Sequence, residues 1–238
     1  MDLGQLIYSI KEASNEQLRN EELFRFIGFC LQHAHHSEAQ NYQDVWALWE
    51  TKSKAGGFFV EFGATDGKTS SNTYTLEKEF DWKGILAEPN PTWHEDLAKN
   101  RSAFISHDCV FTETGQTLEF LKTDAADLAT IKGFGNDEFN EERKKSEVIK
   151  VNTISLYDLL EKADAPETID YLSVDTEGSE YGILNAFFQK NNKYDVELIT
   201  VEHNFMMRDK LHELLTKYGY QRKFEPISRW DDFYVKVN

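Results

Sequence analysis

The chain has 238 residues, 40% hydrophobic and 13% aromatic, enough apolar side chain to bury a sizeable core, which excludes a disordered or fibrous protein. Its 42 acidic residues against 26 basic ones give a net charge of −16. That sign repels phosphate backbones and anionic lipid, so nucleic acid is excluded as an expected partner.

Residues 1–10 lack the basic start and long apolar stretch of a secretory leader. No apolar run reaches the length of a membrane-spanning helix, so no integral membrane segment is expected. The two cysteines, Cys30 and Cys109, lack metal-ligand spacing and suit a reducing, cytoplasmic compartment better than a disulfide scaffold.

Residues 1 to about 50 read as helical. Leu18, Leu23, Phe24, Phe26, Ile27, Cys30 and Leu31 recur near helical spacing, and Val45, Leu48 and Trp49 repeat the pattern in a second helix. Their apolar faces must pack on the sheet that follows, so residues 1–52 are expected as an N-terminal helical extension on a domain spanning 53–238. His33, His35 and His36 read as a solvated helix end in preference to a metal site.

The run Phe58 to Phe62 is β-branched and aromatic and ends in the turn Gly63-Ala64-Thr65-Asp66-Gly67, followed by a helix-length segment to about Phe80. In an open α/β sheet a ligand settles at such a turn, where close backbone approach requires glycine. The turn lacks the glycine spacing of a dinucleotide fingerprint. Glu61 and Asp66 bracket it, and carboxylates there repel phosphate and favour a cationic centre, such as the sulfonium and ammonium of S-adenosylmethionine. Ile85 to Glu88 then reads as a short buried strand stopped by Pro89 and Pro91. Glu88 lies 21 residues after Gly67, the interval at which nucleoside-binding folds place a carboxylate on ribose hydroxyls.

Trp93 to Lys99 reads as a helix and Ala103 to Val110 as a third strand, with Asp108 and Cys109 bordering an adenine. Thr117 to Leu121 alternates as a side ribbon. Thr123 to Lys145 is irregular: Leu128 to Phe134 is the expected substrate wall, and the charged run 136–145 a solvated face. Val148 to Val151 resumes β structure, and Ser155 caps a helix to Ala163.

Ile169 to Val174 reads as a buried strand ending at Asp175, with Glu177, Gly178 and Glu180 in the following turn; Glu180 is expected to serve the next helix N-terminus. Val196 to Val201 ends at Glu202-His203-Asn204, where His203 is placed as a general base. A helix from Asp209 to Tyr218 stops at Gly219, and Tyr220–Phe224 with Phe233–Val237 forms a terminal antiparallel pair.

The stretches Phe59-Val60-Glu61-Phe62-Gly63-Ala64-x-Asp66-Gly67, Ser71-Asn72-Thr73, Leu76-Glu77, Trp82-x-Gly84-Ile85, Ala87-Glu88-Pro89 and Asp170 to Glu180 resemble the FkbM-type class I S-adenosylmethionine-dependent methyltransferases. The resemblance covers residues 37 to 238, and its lead-in ending at Asp44 is expected near the cofactor turn. It implies a Rossmann-like α/β fold: a seven-stranded, mostly parallel sheet with an antiparallel C-terminal strand and an N-terminal helical cap. It also implies a cofactor set of Glu61, Gly63, Ala64, Asp66, Gly67, Ser71, Asn72, Glu88, Pro89, Asp108, Cys109 and Asp175, with His203, Asp175 and Glu177 as catalytic candidates. The expected reaction is O-methylation of a hydroxyl on a sugar or glycan intermediate, by a protein that is able to oligomerise. Two alternatives stand beside it: a Mg²⁺-assisted transfer to a vicinal diol with Asp175, Glu202 and His203 as ligands, and a catalytically inactive glycan-binding module of the same fold.

Overall fold

The computed structural model describes residues 21–123, 128–134, 146–203 and 207–237. The readings made for residues 1–20, for the charged run 136–145 and for Asn204 lie outside them. In chain order the elements are α1 (Glu21–His33), α2 (Gln43–Glu50), β1 (Phe58–Phe62), α3 (Tyr74–Phe80), β2 (Lys83–Ala87), α4 (His94–Asn100), β3 (Phe104–Ser106), β4 (Cys109–Phe111), β5 (Thr117–Lys122) and β6 (Thr130–Ile131). They continue with β7 (Glu147–Ser155), α5 (Leu156–Lys162), β8 (Thr168–Val174), α6 (Glu180–Lys190), β9 (Asp195–Glu202), α7 (Arg208–Lys217), β10 (Tyr220–Lys223) and β11 (Asp231–Lys236).

Seven strands form one sheet in the order β10-β11-β9-β8-β1-β2-β3. The β9-β8-β1-β2-β3 run is parallel, and β11 is antiparallel to both of its neighbours, as expected. The strand order reverses between β1 and β8, so the carboxyl ends of these two central strands border the crevice where open α/β sheets bind ligands.

Alternation along the strands sorts side chains onto two faces. Val60, Phe62, Leu172, Val174, Ile199 and Val201 share one core with Leu159 of α5, Leu184 of α6 and Leu215 of α7. Phe59, Leu86, Tyr171 and Phe233 share the other with Leu23 and Phe26 of α1, Trp46 of α2, Leu76 of α3 and Leu97 of α4. The N-terminal helices are thus part of a helical layer: Trp46 is wholly buried, its ring 5.2 Å from that of Phe233 and 6.3 Å from that of Tyr171. Each fully buried aliphatic or phenyl side chain in these cores contributes about 1.5–3 kcal/mol.

Local chemistry sets the element ends. Ser155 Oγ accepts from the Asp158 N–H at the start of α5, and Asp81 closes α3 in the left-handed conformation. The expected single strand from Ala103 to Val110 is split. Asp108 N–H donates to Ser106 Oγ at 3.3 Å and its carboxylate pairs with Lys162 of α5 at 2.8 Å. Chain direction changes there, and β4 leaves the main sheet to run parallel to β7. The side ribbon becomes a second sheet, β4-β7-β5-β6.

Candidate functional site

A cleft of about 600 Å³ opens at the carboxyl ends of β1, β2, β8 and β9. Of the sequence-predicted residues it brings together Gly63, Asp66, Asn72, Glu88, Pro89, Cys109, Asp175 and Glu177. It leaves out Glu61, Ala64, Gly67, Ser71, Asp108 and His203.

The turn after β1 explains the first group of exclusions. Glu61 points into the protein, where its carboxylate accepts from Asn72 N at 2.7 Å, Thr73 Oγ1 at 2.5 Å and Ser71 Oγ at 3.0 Å. Arg101, whose side chain is wholly buried, lies 3.5 Å from Glu61 and 2.8 Å from Glu77, and donates to Gly67 O, Ser71 Oγ and Thr73 Oγ1. Glu61, Ser71 and Arg101 therefore knot the turn to the start of α3. A Cβ on Gly67, at φ +76°, would lie 2.6 Å from Arg101 and from Leu97. Ala64 is buried under the turn, its N–H bonded to Ala87 O.

The atoms that face the cleft are different ones. Gly63, at φ +68°, exposes its backbone, and a Cβ there would sit 2.3 Å from the Asp175 carbonyl oxygen. The turn and the end of β8 are thus in direct contact. Asp66 accepts from Lys68 N, Thr69 N and Thr69 Oγ1, all within 2.8 Å, and so shapes the loop. Glu88 accepts from Thr65 N at 2.9 Å and Asn90 N at 2.7 Å, while burial raises its pKa to about 7. Burial also pushes the Cys109 thiol up to about 12, so it is not a nucleophile. Asp108, expected on the adenine side, pairs with Lys162 and does not line the cleft, whereas its neighbour Cys109 does.

The other half of the cleft is acidic. Asp175, Glu177 and Glu202 offer carboxylate oxygens that all lie within 4.8 Å of one another. Burial raises the pKa of Asp175 and of Glu202 well above the usual carboxylate range, and crowding by Glu177, Glu180 and Asp231 adds to it; Asp175 also raises Glu202, while a hydrogen bond with Glu202 acts to lower Asp175. Asp231 is pushed up to about 6 by burial, against the hydrogen bond from Gln43. Glu177 is held at φ +58°, its carbonyl accepting from Thr130 Oγ1 at 2.8 Å. That bond ties the cleft to the segment carrying Leu128, Ala129 and Ile131, which line it as the expected wall. Glu180, expected to serve the α6 N-terminus, instead reaches back into the preceding turn, accepting from Thr176 N and Gly178 N at 2.9 Å.

His203 is a correction. Successive residues at the end of β9 face opposite ways, so Glu202 reaches the cleft while His203, 1% exposed, is buried outside its lining. Its charged neighbours are Asp232, Arg208 and Arg222, and burial lowers its pKa. It cannot join Asp175 and Glu202 around a shared ion; Glu177 takes that place. Asp44, expected near the turn, is wholly buried and capped by Ser37 Oγ at 2.6 Å, with its pKa raised to about 6 by burial.

Sequence reasoning missed Arg101, Gln43, Trp230 and Asp231. The last three line the cleft, and the only local signal was an acidic pair following a tryptophan in the terminal ribbon. Among the described residues lining the cleft there are six carboxyl side chains and no Lys, Arg or His.

A family model described as the methyltransferase FkbM domain matches residues 61–222. No curated protein sequence matches the chain. Among solved structures, a precorrin-6y C5,15-methyltransferase from Geobacter metallireducens GS-15 is similar at 11% identity and a TM-score of 0.41, over 81% of this chain and 85% of that one. A fibrillarin/Nop5p complex is similar at 13% identity and a TM-score of 0.37, over 81% and 79%.

Proposed function

The chain belongs to the FkbM-domain methyltransferases and so takes S-adenosylmethionine as its methyl donor; we propose that it moves the methyl to a hydroxyl oxygen of a sugar or glycan intermediate. The residues of the β1–β2 half fit this donor. Gly63 leaves backbone open where a Cβ would collide, and Glu88 presents a buried carboxyl at the end of β2, suited to a ribose diol. Gly63, Glu88, Pro89 and Cys109 would hold it, on a turn shaped by Glu61, Asp66, Gly67, Ser71 and Arg101. When bound, the donor supplies a methyl on a good leaving group, and the protein has to align the acceptor and remove its proton.

The observation that carries the proposal is the cluster of carboxyl groups at the ends of β8 and β9, on the strand end whose Asp175 backbone carbonyl packs against the glycine turn. Crowded carboxyls with raised proton affinity are stronger bases than a solvated carboxylate. Asp175 or Glu202 takes the hydroxyl proton in this reading, in place of His203. Glu202→Gln or Asp175→Asn should lower turnover about 10²- to 10⁴-fold with affinity for S-adenosylhomocysteine retained. His203→Ala should stay within a few-fold of wild type; a His203→Ala enzyme as impaired as Glu202→Gln would return the base to His203.

The spacing of the three oxygens within 4.8 Å favours one further reading, a Mg²⁺ ion held by Asp175, Glu177 and Glu202 that orients a vicinal diol. EDTA then abolishes activity and Mg²⁺ restores it; full activity in EDTA rejects the ion. No helix among the described residues is long and apolar enough to cross a membrane. A cytoplasmic setting is supported by Cys30 and Cys109, both buried and unbridged.

A further inference from the structure

The cleft draws on more chain than the family match. Residues 61–222 supply its floor, whereas Gln43 at the start of α2 and Trp230 and Asp231 at the start of β11 come from outside that span. These two segments are clasped: Gln43 Nε2 donates to Asp231 Oδ2 at 2.5 Å, with the two residues 2% and 6% exposed. Beside the clasp Trp230 is 41% exposed, with the Arg229 guanidinium 4.2 Å from its ring centroid. A wall built from loops and element ends at the mouth of the site is where acceptor choice is set, because fold alone does not specify a substrate.

The wall and the floor next to it accept hydrogen bonds and carry negative charge. Asn72, 7% exposed and lining the cleft, has an Oδ1 with no partner among the described residues, and Glu202 Oε2 is likewise buried without one. Asp175 and Asp231 add two further carboxyls, and no cationic side chain among the described residues lines the cleft. A phosphate or carboxylate entering here would meet like charge at short range in a partly desolvated site. Surplus acceptors and an exposed indole call for a ligand rich in donors, with a positive charge and a flat apolar face.

We propose that the acceptor is an amino sugar, its ring stacked on Trp230 and its protonated amine facing Asp231 and Glu202. The inference rests on the sugar-acceptor reading above and narrows it: sugar phosphates and nucleotide-activated sugars are excluded.

The test is calorimetry on the full chain saturated with S-adenosylhomocysteine, in EDTA so that no metal mediates binding. The probes are methyl hexosaminides, their N-acetyl forms and their 6-phosphates. The amine form should bind about tenfold or more tightly than the N-acetyl form, and the phosphate should not saturate. Asp231→Asn should bring the amine to N-acetyl ratio close to one. Trp230→Ala, at an exposed position, should weaken sugar binding about tenfold while S-adenosylhomocysteine binds as before. N-acetyl or phosphorylated sugar binding as tightly as the amine, or an unchanged ratio in Asp231→Asn, overturns the inference and leaves the sugar reading standing. No saturable binding of any sugar, with S-adenosylhomocysteine binding intact, overturns both.

Discussion

Replacing Glu88 with glutamine should make the protein more stable at alkaline pH and worse at binding its cofactor product. Glu88 is 4% exposed, and burial carries its pKa from 4.5 to about 7 in the folded state. With the folded value above the unfolded one, its contribution to stability is fully present below pH 4.5 and is lost as pH rises through about 7. The shift of roughly 2.5 units corresponds to about 3 kcal/mol lost by pH 8. Glutamine carries no charge and loses none of this. It does leave one of the two N–H groups of Thr65 and Asn90 without its carboxylate oxygen, but that cost, about 1–3 kcal/mol, is the same at every pH.

Urea unfolding of wild type and Glu88→Gln at pH 5 and pH 8 isolates the effect, because the other buried carboxyls cancel in the comparison. The variant should gain about 2.5 kcal/mol on wild type between the two pH values, since a part of the wild-type loss is already present at pH 5. Its affinity for S-adenosylhomocysteine at pH 8 should fall about 10- to 150-fold, from the loss of charge-assisted hydrogen bonds worth about 1.5–3 kcal/mol. A stability difference independent of pH would refute the burial argument. Unchanged affinity would remove Glu88 from the ribose role.

Gly63→Ala should cost about 1 kcal/mol for the left-handed backbone and about 1–3 kcal/mol for collision with the Asp175 carbonyl. The thermal midpoint should fall by roughly 5–15 °C, and a midpoint equal to wild type in differential scanning calorimetry would contradict the packing described. Arg101→Met leaves Glu61 buried without its cation and Glu77 with Lys78 alone, and should cost about 3–5 kcal/mol in urea unfolding. A loss under about 1 kcal/mol would mean that hydrogen bonds alone satisfy Glu61.

Several parts of the site were legible because their signals are local. A β-branched run, two glycines and a helix-length segment are enough to place Gly63 at a strand end, since left-handed backbone and close approach are properties of a few adjacent residues. Glu88 and Asp175 followed in the same way, each as the polar residue where an apolar strand stops. Periodicity likewise placed Leu23, Phe26 and Cys30 of α1 and Val45 and Leu48 of α2 on buried faces, while Leu31, read as part of the same face, is 67% exposed. What these signals do not contain is a partner. Glu61 sits where a ligand-binding carboxylate was expected, yet it turns inward because Arg101, from the end of α4, is packed beneath the turn.

The sequence by itself determined most element types and the acidic strand ends, which follow from periodicity, breakers and composition; the sheet came from the family resemblance, and the order of its strands from the structure. The tertiary structure alone decided which carboxyls share the cleft. Asp231 reaches it because β11 inserts beside β9, and is held there by Gln43, 188 residues away in the chain. Glu202 faces in and His203 faces out because strand pairing sets which way each side chain at the end of β9 points. Asp108 does not line the cleft, and its carboxylate pairs instead with Lys162 of α5. A buried charge takes the partner that packing brings to it, and packing is settled by the whole sheet.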